Sequence, residues 1–161
     1  MLTTDATQIS DQQRSQCSDP KRHVLFICTG NVYRSRFAEA VFNHYAERRE
    51  IPWTAFSRGL AVHLTEEDLS PFAAGALASR QIELRHTGAS RKQLSETDLS
   101  MATHHIALYR SEHFPMMMAQ FPAWANRIEY WEVPDLPFRL ASDALQEIQG
   151  NVIQLLDRVS Q

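Results

Sequence analysis

Residues 23 to 42 change their apolar period once, and that change restricts the fold more than any other stretch. Val24 to Ile27 is a short, partly β-branched apolar run, the pattern of a buried strand. The run stops at Cys28. Turn-like residues follow, among them Gly30 and Asn31, which reach positive φ at little cost. From Ser35 onward the spacing is helical: Phe37, Val41 and Tyr45 share one face, with Ala38 and Phe42 beside them. The stretch reads as strand, tight loop, helix, with a thiol where the loop begins and the Arg34 guanidinium where it ends.

A loop of this kind suits an anion. Inward-pointing backbone N–H groups and the positive end of the helix make a pocket for negative charge. Arg34 can grip two phosphate oxygens through its planar fork. The same surroundings favour thiolate over thiol at Cys28, and a thiolate facing a bound phosphate is placed to attack phosphorus. The plainer alternative makes Cys28 a core thiol and Gly30-Asn31 an ordinary turn.

Composition bounds the remaining choices. A chain of 161 residues can build one domain with a substantial core. The net charge of −3, with no basic run, argues against a general nucleic-acid binder. No stretch has the apolar length of a membrane span, and the N-terminus lacks the apolar core of a signal peptide. The two cysteines, Cys17 and Cys28, make no disulfide framework, which suits a reducing cytoplasm; a bridge between them would disable the thiol. Histidines and cysteines show no zinc-site spacing, and His104 and His105 fall in a strand-like run where neighbours point to opposite faces. Three methionines, Met116 to Met118, span too much of a helix to converge on a soft metal, so core packing is expected of them. No metal, cofactor, nucleic acid or membrane is expected as a partner, and the chain is expected to be a monomer.

Polar residues 1–22 predict a flexible N-terminal tail, with the folded domain at 23–161. The first helix should run from near Arg34 to about Arg49, closed by Ile51-Pro52. Trp53 to Phe56 reads as a second strand, ending at Ser57-Arg58-Gly59. Ser70-Pro71 reads as a helix cap with proline in the first turn. Ile106 to Leu108 forms the centre of a third strand, and Ser111 is expected to cap the helix after it. Arg127 to Val133 is expected as the fourth strand, running into Pro134-Asp135-Leu136-Pro137-Phe138. A last helix from near Ser142 buries Leu145, Ile148, Val152, Leu155, Leu156 and Val159. Alternating strands and helices predict an α/β fold: a single-domain, doubly wound, four-stranded parallel sheet with helices on both faces. Ligands of such sheets bind beyond the carboxyl ends of the strands, where Cys28 and Asp135 would meet.

The spacing Cys-x5-Arg-Ser resembles the signature of cysteine-dependent phosphatases. The string Cys28-Thr29-Gly30-Asn31-Val32-Tyr33-Arg34-Ser35 is similar to the loop of the low-molecular-weight protein tyrosine phosphatase family, usually Cys-x-Gly-Asn-x-Cys-Arg-Ser-Pro. The resemblance spans about residues 23 to 160, closely in the loop and loosely elsewhere; Ser90-Arg91-Lys92-Gln93-Leu94 resembles a family segment that leads into a short helix. It implies a phosphatase acting on a phosphorylated protein or small aryl phosphate through a cysteinyl-phosphate. Cys28 would be the nucleophile and Asp135 the general acid, or else a plain turn residue. Thr29, Gly30, Asn31, Val32, Tyr33, Arg34 and Ser35 would hold the phosphate. Ser35 would donate to the thiolate, cap the helix, or do both.

The chain also departs from the family pattern. Tyr33 replaces the second loop cysteine, so the usual protective disulfide cannot form. Arg36 replaces the proline after Arg-Ser and would add positive charge near the pocket. The Asp-Pro pair is missing at Asp135, and Phe138 is expected either to stack on a substrate ring or to join the core. Three rival readings follow. Arsenate reduction needs further thiols and is disfavoured. A phosphatase for phosphoarginine or a small phosphorylated metabolite is the second, the arginine variant disfavoured because some arginine-specific relatives carry threonine where Val32 stands. The last rival is a non-catalytic anion-binding module.

Overall fold

The structure is a computed structural model, and it describes residues 22–161. Chain order is β1 (His23–Cys28), α1 (Arg34–Arg48), β2 (Thr54–Gly59), α2 (Pro71–Ser79), α3 (Glu96–Met101), β3 (His104–Ala107), α4 (Arg110–Gln120), α5 (Pro122–Ala125), β4 (Glu129–Tyr130) and α6 (Ala141–Val159). The sheet is parallel throughout, in the order β2-β1-β3-β4. Its helices lie on both faces, as the alternation of elements predicts. Of the expected tail, only Arg22 lies within the described residues, and its carbonyl accepts from Thr54 N at the start of β2.

The period of two along β1 sorts its side chains between two cores. Val24 and Phe26 join Phe37 and Phe42 of α1, Leu77 of α2, and Leu145, Ile148, Val152 and Leu155 of α6. Leu25 and Ile27 face the other way, onto Leu99 of α3, Met117 of α4 and Ala125 of α5. The histidine pair obeys the same rule. His104 meets Trp53 on one face, while His105 meets Trp124 and its Nε2 lies 2.7 Å from the Leu99 carbonyl on the other. Of the three methionines, Met117 is fully buried and Met118 is exposed.

Several boundaries differ from expectation. The fourth strand pairs only at Glu129 and Tyr130, with one antiparallel bridge between Tyr109 and Glu132. An outer strand needs to reach only as far as its neighbour, and β3 itself is short. The helix after β3 begins at Arg110 with Tyr109 at its cap position, so Ser111 lies inside α4 and caps nothing. Ser70 does cap α2, its Oγ accepting from Phe72 N at 3.2 Å. β2 runs past Phe56 to Gly59, which closes against the loop. A Cβ there would stand 2.7 Å from the Thr29 carbonyl and 2.7 Å from Val62 Cγ1, so only glycine allows the approach.

Candidate active site

The loop between β1 and α1 is built from its backbone outward. Asn31 holds positive φ, at 58°, while no glycine does. Gly30 therefore does not supply the left-handed turn that its residue type allows. Asparagine tolerates that conformation because its short side chain finds local partners. Here Asn31 Nδ2 donates to Ser35 Oγ at 2.9 Å and to Ser57 Oγ at 3.0 Å, and Asn31 Oδ1 accepts from Lys92 N at 2.9 Å. The segment around Lys92 is thereby tied to the loop, and it also pairs with the end of β2, Gly59 N donating to the Lys92 carbonyl and Leu94 N to the Gly59 carbonyl.

Cys28 is free and 3% exposed, with Sγ 2.8 Å from Ser35 Oγ. Since Ser35 accepts from Asn31, its own proton is available to the sulfur. α1 begins just after, with no side-chain cap and no acidic residue in its first turn. Its first N–H groups are thus left for another acceptor. Arg34 is 2% exposed and faces the same place. It donates from NH1 to the Val133 carbonyl at 3.1 Å and from NH2 to Glu112 Oε2 at 2.7 Å. NH2 also lies 3.4 Å from Asp135 Oδ2. Burial opposes its charge, but the Cys28 sulfur, Glu112 and Asp135 outweigh burial and raise its pKa.

Asp135 thus reaches the loop from the far end of the chain, and its side chain is 46% exposed. It lines, with Leu136, a cleft of about 450 Å³ that the loop residues Thr29, Gly30, Val32 and Tyr33 also line. Leu64, Thr65 and Glu67, then Ser70, Pro71 and Phe72 at the start of α2, complete the lining. The predicted residues Cys28, Arg34, Ser35 and Asp135 therefore come together. Phe138 does not join the core. It is 85% exposed, and Leu136 and Phe72 supply the apolar wall.

Arg36 also corrects an expectation. Two residues along a helix turn about 200° around its axis, so Arg36 points away from the side Arg34 faces. It is buried behind the loop, donating from Nε to Thr87 Oγ1 at 2.6 Å and from NH2 to the Gly88 carbonyl at 2.5 Å. Its charge faces Glu39, whose Oε1 accepts from Ser57 Oγ at 2.8 Å and Thr87 Oγ1 at 2.7 Å. Burial still raises the Glu39 pKa.

Glu112 is the residue that sequence reasoning missed. It sits in the first turn of α4, just beyond the carboxyl end of β3, and that placement was the available signal. Oε2 accepts from Arg34, from Thr29 Oγ1 in a very short bond, and from His113 Nε2 at 3.0 Å. His113 Nδ1 accepts from Tyr109 N at 3.0 Å, which leaves the ring proton on Nε2. Burial raises the Glu112 pKa, but the bonds from His113 and Arg34 more than offset it and hold the carboxyl well below its usual range.

A thiol and a guanidinium at the two ends of such a loop, at the edge of such a sheet, define the class: a cysteine-based phosphatase. The family model for the low molecular weight phosphotyrosine protein phosphatases matches residues 23–161, and the chain belongs to that family. The protein-arginine-phosphatase of Bacillus subtilis is 28% identical over 107 residues, covering 65% of this chain and 67% of that protein. The crystal structure of the low molecular weight protein tyrosine phosphatase from T. tengcongensis superposes with a TM-score of 0.72 at 26% identity, covering 84% of this chain and 98% of that one. A thioredoxin-dependent arsenate reductase from Corynebacterium glutamicum shares the fold at 21% identity, with a TM-score of 0.64 over 91% of this chain and 65% of that one.

Proposed function

We propose that this chain hydrolyses phosphotyrosine, or a similar aryl monoester, through a cysteinyl-phosphate intermediate in the cytoplasm. The supporting observation is the convergence at one sheet edge of Cys28 Sγ, Arg34 and Asp135, 3.4 Å separating the last two. In the first step the Cys28 thiolate attacks phosphorus. The S–P bond forms, the P–O bond to the leaving group breaks, and Asp135 gives that oxygen its proton. In the second step water attacks phosphorus and Asp135 takes its proton. The S–P bond breaks, and phosphate leaves the thiolate behind. The loop amides from Thr29 to Ser35 and the Arg34 fork hold the equatorial oxygens and stabilise the charge that grows on them.

The apolar wall of Val32, Leu64, Phe72 and Leu136 supports an aromatic leaving group. A second reading, phosphoarginine, is favoured by the Bacillus subtilis relative and by two carboxylates, Glu67 and Asp135, at the same cleft. Arsenate reduction would need thiols beyond Cys28 to pass on a disulfide, and the chain offers only Cys17. The test is turnover of para-nitrophenyl phosphate, then of matched phosphotyrosine and phosphoarginine peptides. We expect turnover abolished in Cys28→Ser and a preference for the phosphotyrosine peptide. No turnover by the wild type leaves the non-catalytic anion-binding module standing. Preference for the phosphoarginine peptide overturns the aryl reading and keeps the enzyme.

A further inference from the structure

The Tyr33 hydroxyl has no hydrogen-bond partner. Among the described residues, it and His104 Nδ1 are the buried side-chain polar atoms left in that state. Tyr33 lies in the anion loop, 6% exposed, with its ring in the core that α1 and α6 share. Phenylalanine would fill that volume without stranding a donor, so the hydroxyl costs stability in this state of the protein. The residue also lines the cleft, together with Asp135. Burial, then the charge of Asp135, push the phenol pKa up to about 12, so it stays an O–H donor throughout the physiological range.

Asp135 has a partner that catalysis would take away. Its Oδ1 accepts from Leu136 N at 2.8 Å, while Oδ2 lies beside Arg34. At 3.4 Å the Oδ2 contact is the longest of the three that Arg34 makes, so a phosphate in the loop would displace it while Glu112 and the Val133 carbonyl keep the guanidinium in place. Oδ2 would then need another donor at the cleft that Tyr33 lines.

We propose that the Tyr33 hydroxyl is a positioning residue for Asp135, donating a hydrogen bond to its carboxyl once phosphate has engaged Arg34. This rests on Asp135 being the acid. Tyr33 makes and breaks no covalent bond; it fixes the rotamer from which Asp135 delivers its proton. The protein so exchanges one partner of Asp135 for another as the loop fills.

Two measurements on Tyr33→Phe decide the matter. In single turnover, we expect about a tenfold loss on phenyl phosphate, a poor leaving group, and little loss on dinitrophenyl phosphate, which needs no acid. The double variant with Asp135→Asn should be no slower than Asp135→Asn alone. Equal losses on both substrates, or losses that multiply in the double variant, overturn the proposal. The second measurement is thermal melting with and without saturating inorganic phosphate. Without phosphate, Tyr33→Phe should melt no lower than wild type; phosphate should then raise its midpoint less than it raises that of the wild type. An equal rise in both proteins overturns the proposal even if neither turns over an ester. Absent turnover by the wild type, with its phosphate response intact, counts instead against the phosphatase reading.

Discussion

Glu112 Oε2 gathers three donors at the back of the site: Arg34, Thr29 and His113. A carboxylate so placed can either hold Arg34 for phosphate or compete with phosphate for it, and the two roles predict opposite signs. The geometry favours holding. Arg34 spends one amino group on Glu112 and the other on the Val133 carbonyl, which fixes the plane of the guanidinium. Glu112→Gln keeps an acceptor but removes the charge, and a hydrogen bond to a charged group is worth about 1.5–3 kcal/mol. We therefore expect kcat/KM on para-nitrophenyl phosphate to fall by roughly tenfold to a hundredfold, with phosphate inhibiting less well. Tighter phosphate inhibition in the variant would show that Glu112 competes. Gly59 carries a different constraint, one of space. Alanine there meets the Thr29 carbonyl at 2.7 Å and Asn31 Cβ at 3.0 Å, so Gly59→Ala should displace the loop and lose activity with only part of the fold's stability. A variant as active as wild type would mean that the loop yields at no cost.

The helices of this protein differ in how they begin; α4, α5 and α6 lack a side-chain cap, as α1 does, so it is the position of α1 behind Cys28 that makes its free end count. Ser70 caps α2, and Ser95 with Asp98 forms a reciprocal capping box on α3, where Asp98 also meets Arg58 at 3.1 Å. α1 has neither cap nor first-turn carboxylate, and it is the helix that points at Cys28. Capping satisfies end groups with side chains, whereas an uncapped start leaves them for a ligand. The sequence carried part of this. Ser70-Pro71 reads as a cap, while the Ser95-x-x-Asp98 box is a signal that sequence reasoning missed. Tertiary contacts override local signals elsewhere: Ser111 looks like a cap, yet pairing of Arg110 N with the Trp131 carbonyl sets the start of α4 earlier. α6 holds a purely local weakness. Gly150 lies on its exposed side, in a helical conformation, and a Cβ added there meets nothing within 4 Å. Gly150→Ala should stabilise the protein by about 0.5–1 kcal/mol through lower unfolded-state entropy and better helix propensity. Urea unfolding at equilibrium measures this directly, and an unchanged or lower midpoint would contradict it.

At the scale of the molecule, the sheet was legible because its signal is periodic and local: an apolar run, a turn, then a helical face. The meeting of Cys28 with Asp135 followed from topology, which places the ends of parallel strands on one edge. Glu112, the burial of Arg36 and the exposure of Phe138 were not legible, since each depends on which way a side chain turns after its backbone is placed. The same burial gives the whole protein a pH response. His44, His86, His104, His105 and His113 all have pKa values lowered from 6.5, in each case chiefly by desolvation. The unfolded chain binds protons at these groups before the folded one does. Each therefore contributes stability that is present above about pH 6.5 and lost as pH falls toward its folded pKa. Glu39 acts with the opposite sign. Its raised pKa makes the folded state the better proton acceptor, so its contribution is present below its unfolded value of 4.5 and lost as pH rises through its folded pKa. Glu112, held low, contributes above 4.5 and is lost only under stronger acid. Between about pH 7.5 and about pH 5.5 the histidines outnumber Glu39, so unfolding free energy should fall over that interval. At His113, which is fully buried, the charge of Arg34 adds to the desolvation while the bond to Glu112 opposes it. Urea titrations across that range test this. A flat profile would mean that Glu39 balances the histidines, and a rising one that the buried carboxyl dominates the acid response of the fold.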